Sequence, residues 1–196
     1  MKRLILPILL GLAMSGPATA AKYNIDAYHT QVHFTYLHGG YANLGGRLNQ
    51  VTGTLDFDPE QPGKSSIDVQ IPMSSLSTGV PKLDAHLNSA DFFDAEKFPT
   101  ASFTSKQVTV LGKDKLNVAG DMTIHGVTRP VVFEVTINQA GMHPMRKVPA
   151  VGFEATTTIK RSEFGVGGFL QAASDDVKLR IAMEAQQPKP EAAPAK

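Results

Sequence analysis

Six histidines, His29, His33, His38, His86, His125 and His143, are the residues in this sequence whose side chains most readily suggest a metal site or a general base. A zinc centre needs three or four imidazole, thiolate or carboxylate donors converging from clustered positions. The spacing argues against one. His29 and His33 share one parity of an alternating segment, His38 has the other, and no clustered carboxylates complete a set. The chain has no cysteine, which excludes thiol nucleophiles, thiolate metal sites and disulfides. Ser74, Ser75, Ser77 and Ser89 lie in turn or helix contexts, and no GxSxG elbow supports hydrolysis. Gly165, Gly167 and Gly168 in RSEFGVGGFL lack the lysine and the strand-loop-helix setting of a phosphate cradle, so they read as a strained loop. The densest polar segment is DAHLNSADFFDAEKFPTASF, which sets Asp84, His86, Asp91, Asp94 and Glu96 beside Phe92, Phe93 and Phe98. Two readings compete there. One is an acid-base site acting on an amphiphile. The other, favoured because no nucleophile accompanies the carboxylates, has Asp and Asn capping turns while the phenylalanines fill the end of a core. Arg161 with Glu163 reads as an ion pair or a loop anchor.

The elements that must position these residues are strands. From Tyr23 to Met183 short runs carry an apolar residue at every second position, separated by Gly, Pro, Asn or Asp, which is the period of a half-buried strand. Val32, Phe34 and Tyr36 share one face of the first run. In the second, the apolar parity changes from Gly46 and Leu48 to Val51, Gly53, Leu55 and Phe57, which predicts a bend at Asn49 to Gln50. Further strands run through Ile67 to Ile71, Ala101 to Val110, Leu116 to Ile124, Val131 to Ile137, Val151 to Ile159 and Val177 to Met183. One helix interrupts them: Val80, Leu83 and Leu87 fall at helical spacing with Thr78 as its expected cap. The fold class is therefore all-β, with eight antiparallel strands in a barrel and one helix closing an end. Such a barrel either fills with side chains or holds one small ligand. Strands of about ten residues, at ~3.3 Å each, give an interior on the order of 30 Å long, suited to a chain-like lipid.

Residues 1–20 combine Lys2 and Arg3, an apolar run from Leu4 to Met14 and an Ala18-Thr19-Ala20 ending, the pattern of a cleaved secretory signal peptide, and so point to the periplasm. Residues 21–185 make one domain. Residues 186–196, rich in proline and alanine, are expected to be a disordered tail. Removing Lys2 and Arg3 from the 19 basic residues leaves 17 against 18 acidic ones, a formal charge of −1, so neither nucleic acid nor an anionic membrane is an expected partner. A homodimer is compatible with the sequence.

Four strings in order, YNIDAYHTQVHF, DAHLNSADFFDAEKFPTASF, TIHGVTRPVVFEV and RSEFGV followed by SDDVKLRIAMEA, resemble the YceI-like family of secreted bacterial proteins over Tyr23 to about Ala185. The resemblance implies a lipocalin-like barrel with a helix across one end and an apolar tunnel holding a polyisoprenoid or similar amphiphile, including isoprenoid quinones, with no enzymatic activity, no metal and no cofactor beyond that lipid. Because some members adjoin a membrane b-type cytochrome, it also implies an alternative role presenting quinone to such a partner. Lipid contacts in the family come from inward side chains, and strand parity transfers them here to Phe34, Tyr36, Leu48, Val69, Ile71, Phe103, Val118, Met122, Phe133, Val135, Phe153, Ile159, Phe164, Leu179 and Ile181. The motif residues His29, His86, Asp94, His125, Gly126, Arg161 and Phe164 are expected to hold the fold, with polar ones near a mouth able to orient a head group.

Overall fold

A sheet whose strands each hide one apolar face must curl until that face is enclosed. The computed structural model, which describes residues 20–189, shows that closure. Ten strand segments build eight barrel strands, because the first two are each broken once. Segments β1 (Ala21–Ile25) and β2 (Gln31–His38) both pair with the final strand β10 (Asp176–Gln186), β1 through Ile25↔Ala185 and β2 through Phe34↔Leu179. They are one barrel strand interrupted by the turn at residues 26–30. Segments β3 (Ala42–Leu48) and β4 (Thr52–Phe57) pair with β2 and β1 respectively and form the second barrel strand. Its break falls at Gln50, whose φ of 58° lies in the left-handed region, where the sequence changes parity. The ring continues antiparallel through β5 (Ser66–Pro72), β6 (Thr100–Val110), β7 (Lys115–Ile124), β8 (Val127–Met142) and β9 (Pro149–Lys160) to β10.

Several elements differ from expectation. The β6 ladder shifts register between Ser105 and Gln107, which moves the inward parity from Phe103 to Val108. The strand expected to end at Ile137 continues in β8 to Met142 past a second shift between Ile137 and Gln139. The helix α1 spans only Pro81–Asn88, with Pro81 at its first position and Val80 before it. Thr78 is not its cap: the Thr78 N–H and Oγ1–H both donate to Asp84 Oδ1 at 2.6 Å, tying the preceding loop to the first turn. Gln186 belongs to β10 and is buried, with Nε2 donating to Asp26 at 2.8 Å, so the strand runs into the expected tail. The rest of that expected tail from residue 190, and the expected leader through residue 19, lie outside the described residues.

Candidate functional site

The inward faces of the eight strands do not meet. They enclose an elongated cavity of about 460 Å³. Along β10, Val177, Leu179, Ile181 and Met183 line it in alternation, a run of six residue steps or about 20 Å. All fifteen residues chosen by parity line this cavity. Phe34 and Tyr36 come from β2, Leu48 from β3, Val69 and Ile71 from β5, and Phe103 from β6. Val118 and Met122 come from β7, Phe133 and Val135 from β8, Phe153 and Ile159 from β9, Leu179 and Ile181 from β10, and Phe164 from the 3-10 turn Arg161–Phe164.

Two glycines help keep the lumen open. A Cβ on Gly120 would lie 2.7 Å from the Phe103 ring, and one on Gly46 would lie 2.8 Å from that of Phe34. Each ring therefore lies over bare backbone on the neighbouring strand instead of standing into the lumen. Phe103 is fixed further by an edge-on contact with Phe133 at 5.1 Å.

Sequence reading missed two groups of lining residues. Val32, Leu55, Phe57, Leu116, Ile124, Val177 and Met183 share the inward parity and were legible in principle. Met73 and Phe169 come from turns, where no period marks an inward side chain, whereas Leu83 and Leu87 on α1 and Phe92 and Phe93 after it line the end that the helix and phenylalanines were expected to close.

The cavity ends differ. Near the C-terminus of β10, Phe57 packs edge-on against Phe153 at 5.5 Å and against Tyr23 at 6.0 Å. At the helix end, Leu83 and Leu87 of α1 and the rings of Phe92 and Phe93 cover the lumen, and Phe92 stacks on Phe169 at 5.5 Å. His86 sits edge-on to both rings and places Nε2 3.4 Å from Asp91. Tyr36, His38, His86 and Arg161 give this end of the lining its polar side chains.

Arg161 is 9% exposed and acts as a loop anchor, with no ion pair to Glu163. Its guanidinium donates to the carbonyls of Val166, Gly168, Ala173 and Ser174 at 2.6 to 2.9 Å, holding the 165–174 loop against the barrel mouth. Burial lowers its pKa from the ordinary value while the charge of Asp175 opposes this. Asp175 in turn accepts from the Ser162 N–H and Oγ–H. His125 and Gly126, both with positive φ, form the two-residue turn between β7 and β8, and Phe98 covers them.

His29 lies outside the lumen, in the turn between β1 and β2. Its Nδ1 meets Asp26 Oδ2 at 3.0 Å, and Arg146 Nη2 meets the same oxygen at 3.2 Å. Burial pushes the Asp26 carboxyl up, but hydrogen bonds from His29 and the Tyr28 N–H, with the nearby positive charges, bring it below its usual value. The hydrogen bond to Asp26 and its charge raise the His29 imidazole. Asp26, His29 and Glu184 place potential ligand atoms within 4.8 Å of one another. With an arginine and the Gln186 amide already on Asp26, this donor set reads as a joint between β1, β10 and the 143–148 loop.

A closed antiparallel barrel around an elongated apolar cavity, capped by a short helix, defines a lipocalin-like barrel. The chain belongs to the YceI-like family, whose domain model matches residues 23–185. A UPF0312 protein of Pseudomonas savastanoi pv. phaseolicola is 36% identical over 193 residues, covering 96% of this chain and all of that protein. The crystal structure of Burkholderia cenocepacia BcnA superposes with a TM-score of 0.74 at 25% identity, covering 82% of this chain and 98% of that one. A polyisoprenoid binding domain from Saccharophagus degradans shares the fold at a TM-score of 0.67 and 13% identity, over 85% of this chain and 98% of that domain.

Proposed function

We propose that this protein takes a long-chain amphiphile of the polyisoprenoid type into its lumen and carries or stores it in the periplasm. The observation that carries the reading is the cavity itself: about 460 Å³, elongated along the strands, and walled by aliphatic and aromatic side chains from every barrel strand. Its volume falls in the range of small-molecule sites, roughly 300–1,000 Å³. A chain burying on the order of 400 Å² of apolar surface gains roughly 10 kcal/mol at ~25 cal/mol per Å², a gain of the same order as the roughly 4–15 kcal/mol that association costs. The Saccharophagus domain of the same fold, which binds polyisoprenoid, agrees with this ligand class. The tail lies toward Phe57 and Phe153 and the polar head lies among Tyr36, His38 and His86.

The acid-base alternative finds less support. His86 directs its ring at Phe92 and Phe169, and its Nε2 partner is Asp91 instead of Asp94.

Native mass spectrometry of protein purified gently from its host tests the proposal. A bound species that extracts into organic solvent is expected. Protein that is uniformly empty overturns the reading, as does a Leu179→Arg variant that folds and still carries the same lipid.

A further inference from the structure

We propose that the lip of the mouth formed by the β2–β3 hairpin and the 165–174 loop inserts into a lipid bilayer surface, so that the lumen opens directly onto the membrane. The inference rests on the lipid-carrier reading and adds the partner from which the cargo comes. Among the described residues, Leu44 and Phe169 are the only large apolar side chains that both line the cavity and stand well exposed, at 42% and 47%. They make the lumen wall continuous with the outer surface at this lip. Leu37, Tyr41 and Leu170 extend the apolar surface outward, Tyr41 being 95% exposed.

The exposure is built on a fixed backbone. Gly39 N–H donates to Ala172 O at 2.7 Å, Ser174 N–H donates to Leu37 O at 2.9 Å, and His38 bridges to Ala173, so hairpin and loop form one unit that Arg161 pins from beneath.

Charge identifies the occupant. From Gln31 to Gly46 and from Phe164 to Ser174 there is no Asp, Glu, Lys or Arg, in a chain that is 19% charged. The loops at the other end of the barrel carry Asp58, Glu60 and Lys64, then Lys113 and Asp114, then Arg146 and Lys147. A water-facing loop has no need to shed its charges, whereas a lip that enters the headgroup and acyl boundary must, and exposed Tyr and Phe suit that boundary. The charges of the helix side, Lys82 and Asp84 on α1 and Asp91 after it, mark where insertion stops: Asp91 borders the loop at Gly168, pairs with His86 and stays in water. The molecule therefore docks tilted, hairpin first.

The chain has no tryptophan, so a single introduced one is a clean probe. Tyr41→Trp in the otherwise intact protein, mixed with phosphatidylcholine vesicles, should shift its emission to the blue and be quenched by brominated acyl chains. Leu111→Trp, at the opposite end, should do neither. Raising salt to ~0.5 M should leave the binding unchanged, because no charge carries it. The double variant Tyr41→Asp and Leu170→Asp should lose vesicle partitioning about tenfold or more while keeping its bound lipid by native mass spectrometry.

The proposal is overturned if neither tryptophan responds, if both respond alike, if salt abolishes binding, or if the lip instead forms a dimer whose dissociation follows Tyr41→Asp. The two readings fail separately. Vesicle docking by a protein with an empty lumen keeps the docking surface and removes the carrier, while a loaded lumen without docking does the reverse.

Discussion

The two ends of this barrel are made of similar residue types put to opposite uses. At the β10 C-terminal end, Tyr23, Phe57 and Phe153 meet edge-on with Val151 and Ala185, all buried. The loops around them are charged and the Asp26 joint staples them. At the helix end Phe92, Phe93 and Phe169 also gather, but they roof a cavity, and Phe169 faces solvent as well as the lumen. Aromatic rings that interlock with strand side chains stabilise the fold. Rings brought together by two loops can part without disturbing the ladder, because only their mutual contact is lost. The difference gives the barrel a direction, with an interlocked base and a cover whose rings hold only one another, and on the proposed carrier function the lipid should pass through one end.

The base supplies the largest expected effect. Phe57 is 1% exposed and touches both Tyr23 and Phe153. Phe57→Ala should lower stability by about 3–5 kcal/mol, read as a drop in urea midpoint, since the rigid strands around it leave the cavity largely uncollapsed. A loss near 1 kcal/mol would mean that this end relaxes as easily as the mouth, and the contrast between the ends would fail.

The strand part of this contrast was visible in the sequence because the period of two survives closure. Phe34, Val69, Phe133 and Leu179 are inward for the same reason that their neighbours Thr35, Gln70, Glu134 and Arg180 are outward. The break at Gln50 was legible as a change of parity. The mouth was not. Phe92 and Phe169 are distant in sequence, lie outside strands and meet only through tertiary packing. Thr78 looked like a cap because cap preference is local, but Asp84 recruited it once the loop had folded back. Arg161 could be narrowed to an anchor or an ion pair, and only the course of the 165–174 loop shows that four carbonyls take the place of a carboxylate.

That anchor supplies the next effect in size. Arg161→Met removes four hydrogen bonds from carbonyls that have little water to replace them, and should cost about 2–3 kcal/mol. The loss should concentrate at the mouth. Hydrogen exchange should accelerate at the Gly39 and Ser174 amides, which bond across the hairpin and loop, while Leu55 and Val151 amides in the base ladder keep their protection. Equal acceleration at both ends would show that Arg161 supports the whole barrel.

A smaller effect, on the order of 1–2 kcal/mol, is expected from Asp26→Asn, and its pH dependence marks it as a property of the base. The Asp26 carboxyl is lowered in the folded state, so its contribution is present above the ordinary carboxylate pKa and fades as pH falls through the lowered value. His29 is raised, so its contribution is complete below the ordinary imidazole pKa, about 6.5, and fades as pH rises through the raised value. The stability gap between the parent protein and Asp26→Asn should thus be widest in mildly acidic solution, as chemical denaturation across pH would show. A gap that stays level as pH rises through neutrality would mean that Arg146 alone, and not His29, is the partner that matters.

The least effect on stability, and the clearest on function, belongs to Phe169→Ala. This ring is nearly half exposed, and its φ of 55° costs energy that a smaller side chain does little to relieve. Removing it should change the urea midpoint little, by less than ~1 kcal/mol, because much of its surface is already in water. Its stack on Phe92 nonetheless closes the lumen roof. Without it the cover has two rings in place of three and Phe92 loses its stacking partner, so the barrier that keeps a bound chain in should fall. Release of a preloaded lipid to acceptor vesicles should quicken severalfold, with occupancy at saturation little changed. The same truncation at Phe57 should unfold the protein more readily without giving the folded fraction a faster exit. If Phe169→Ala and the parent release lipid at one rate while Phe57→Ala releases it faster from its folded state, the cargo leaves through the base, and the direction inferred from the two ends is reversed.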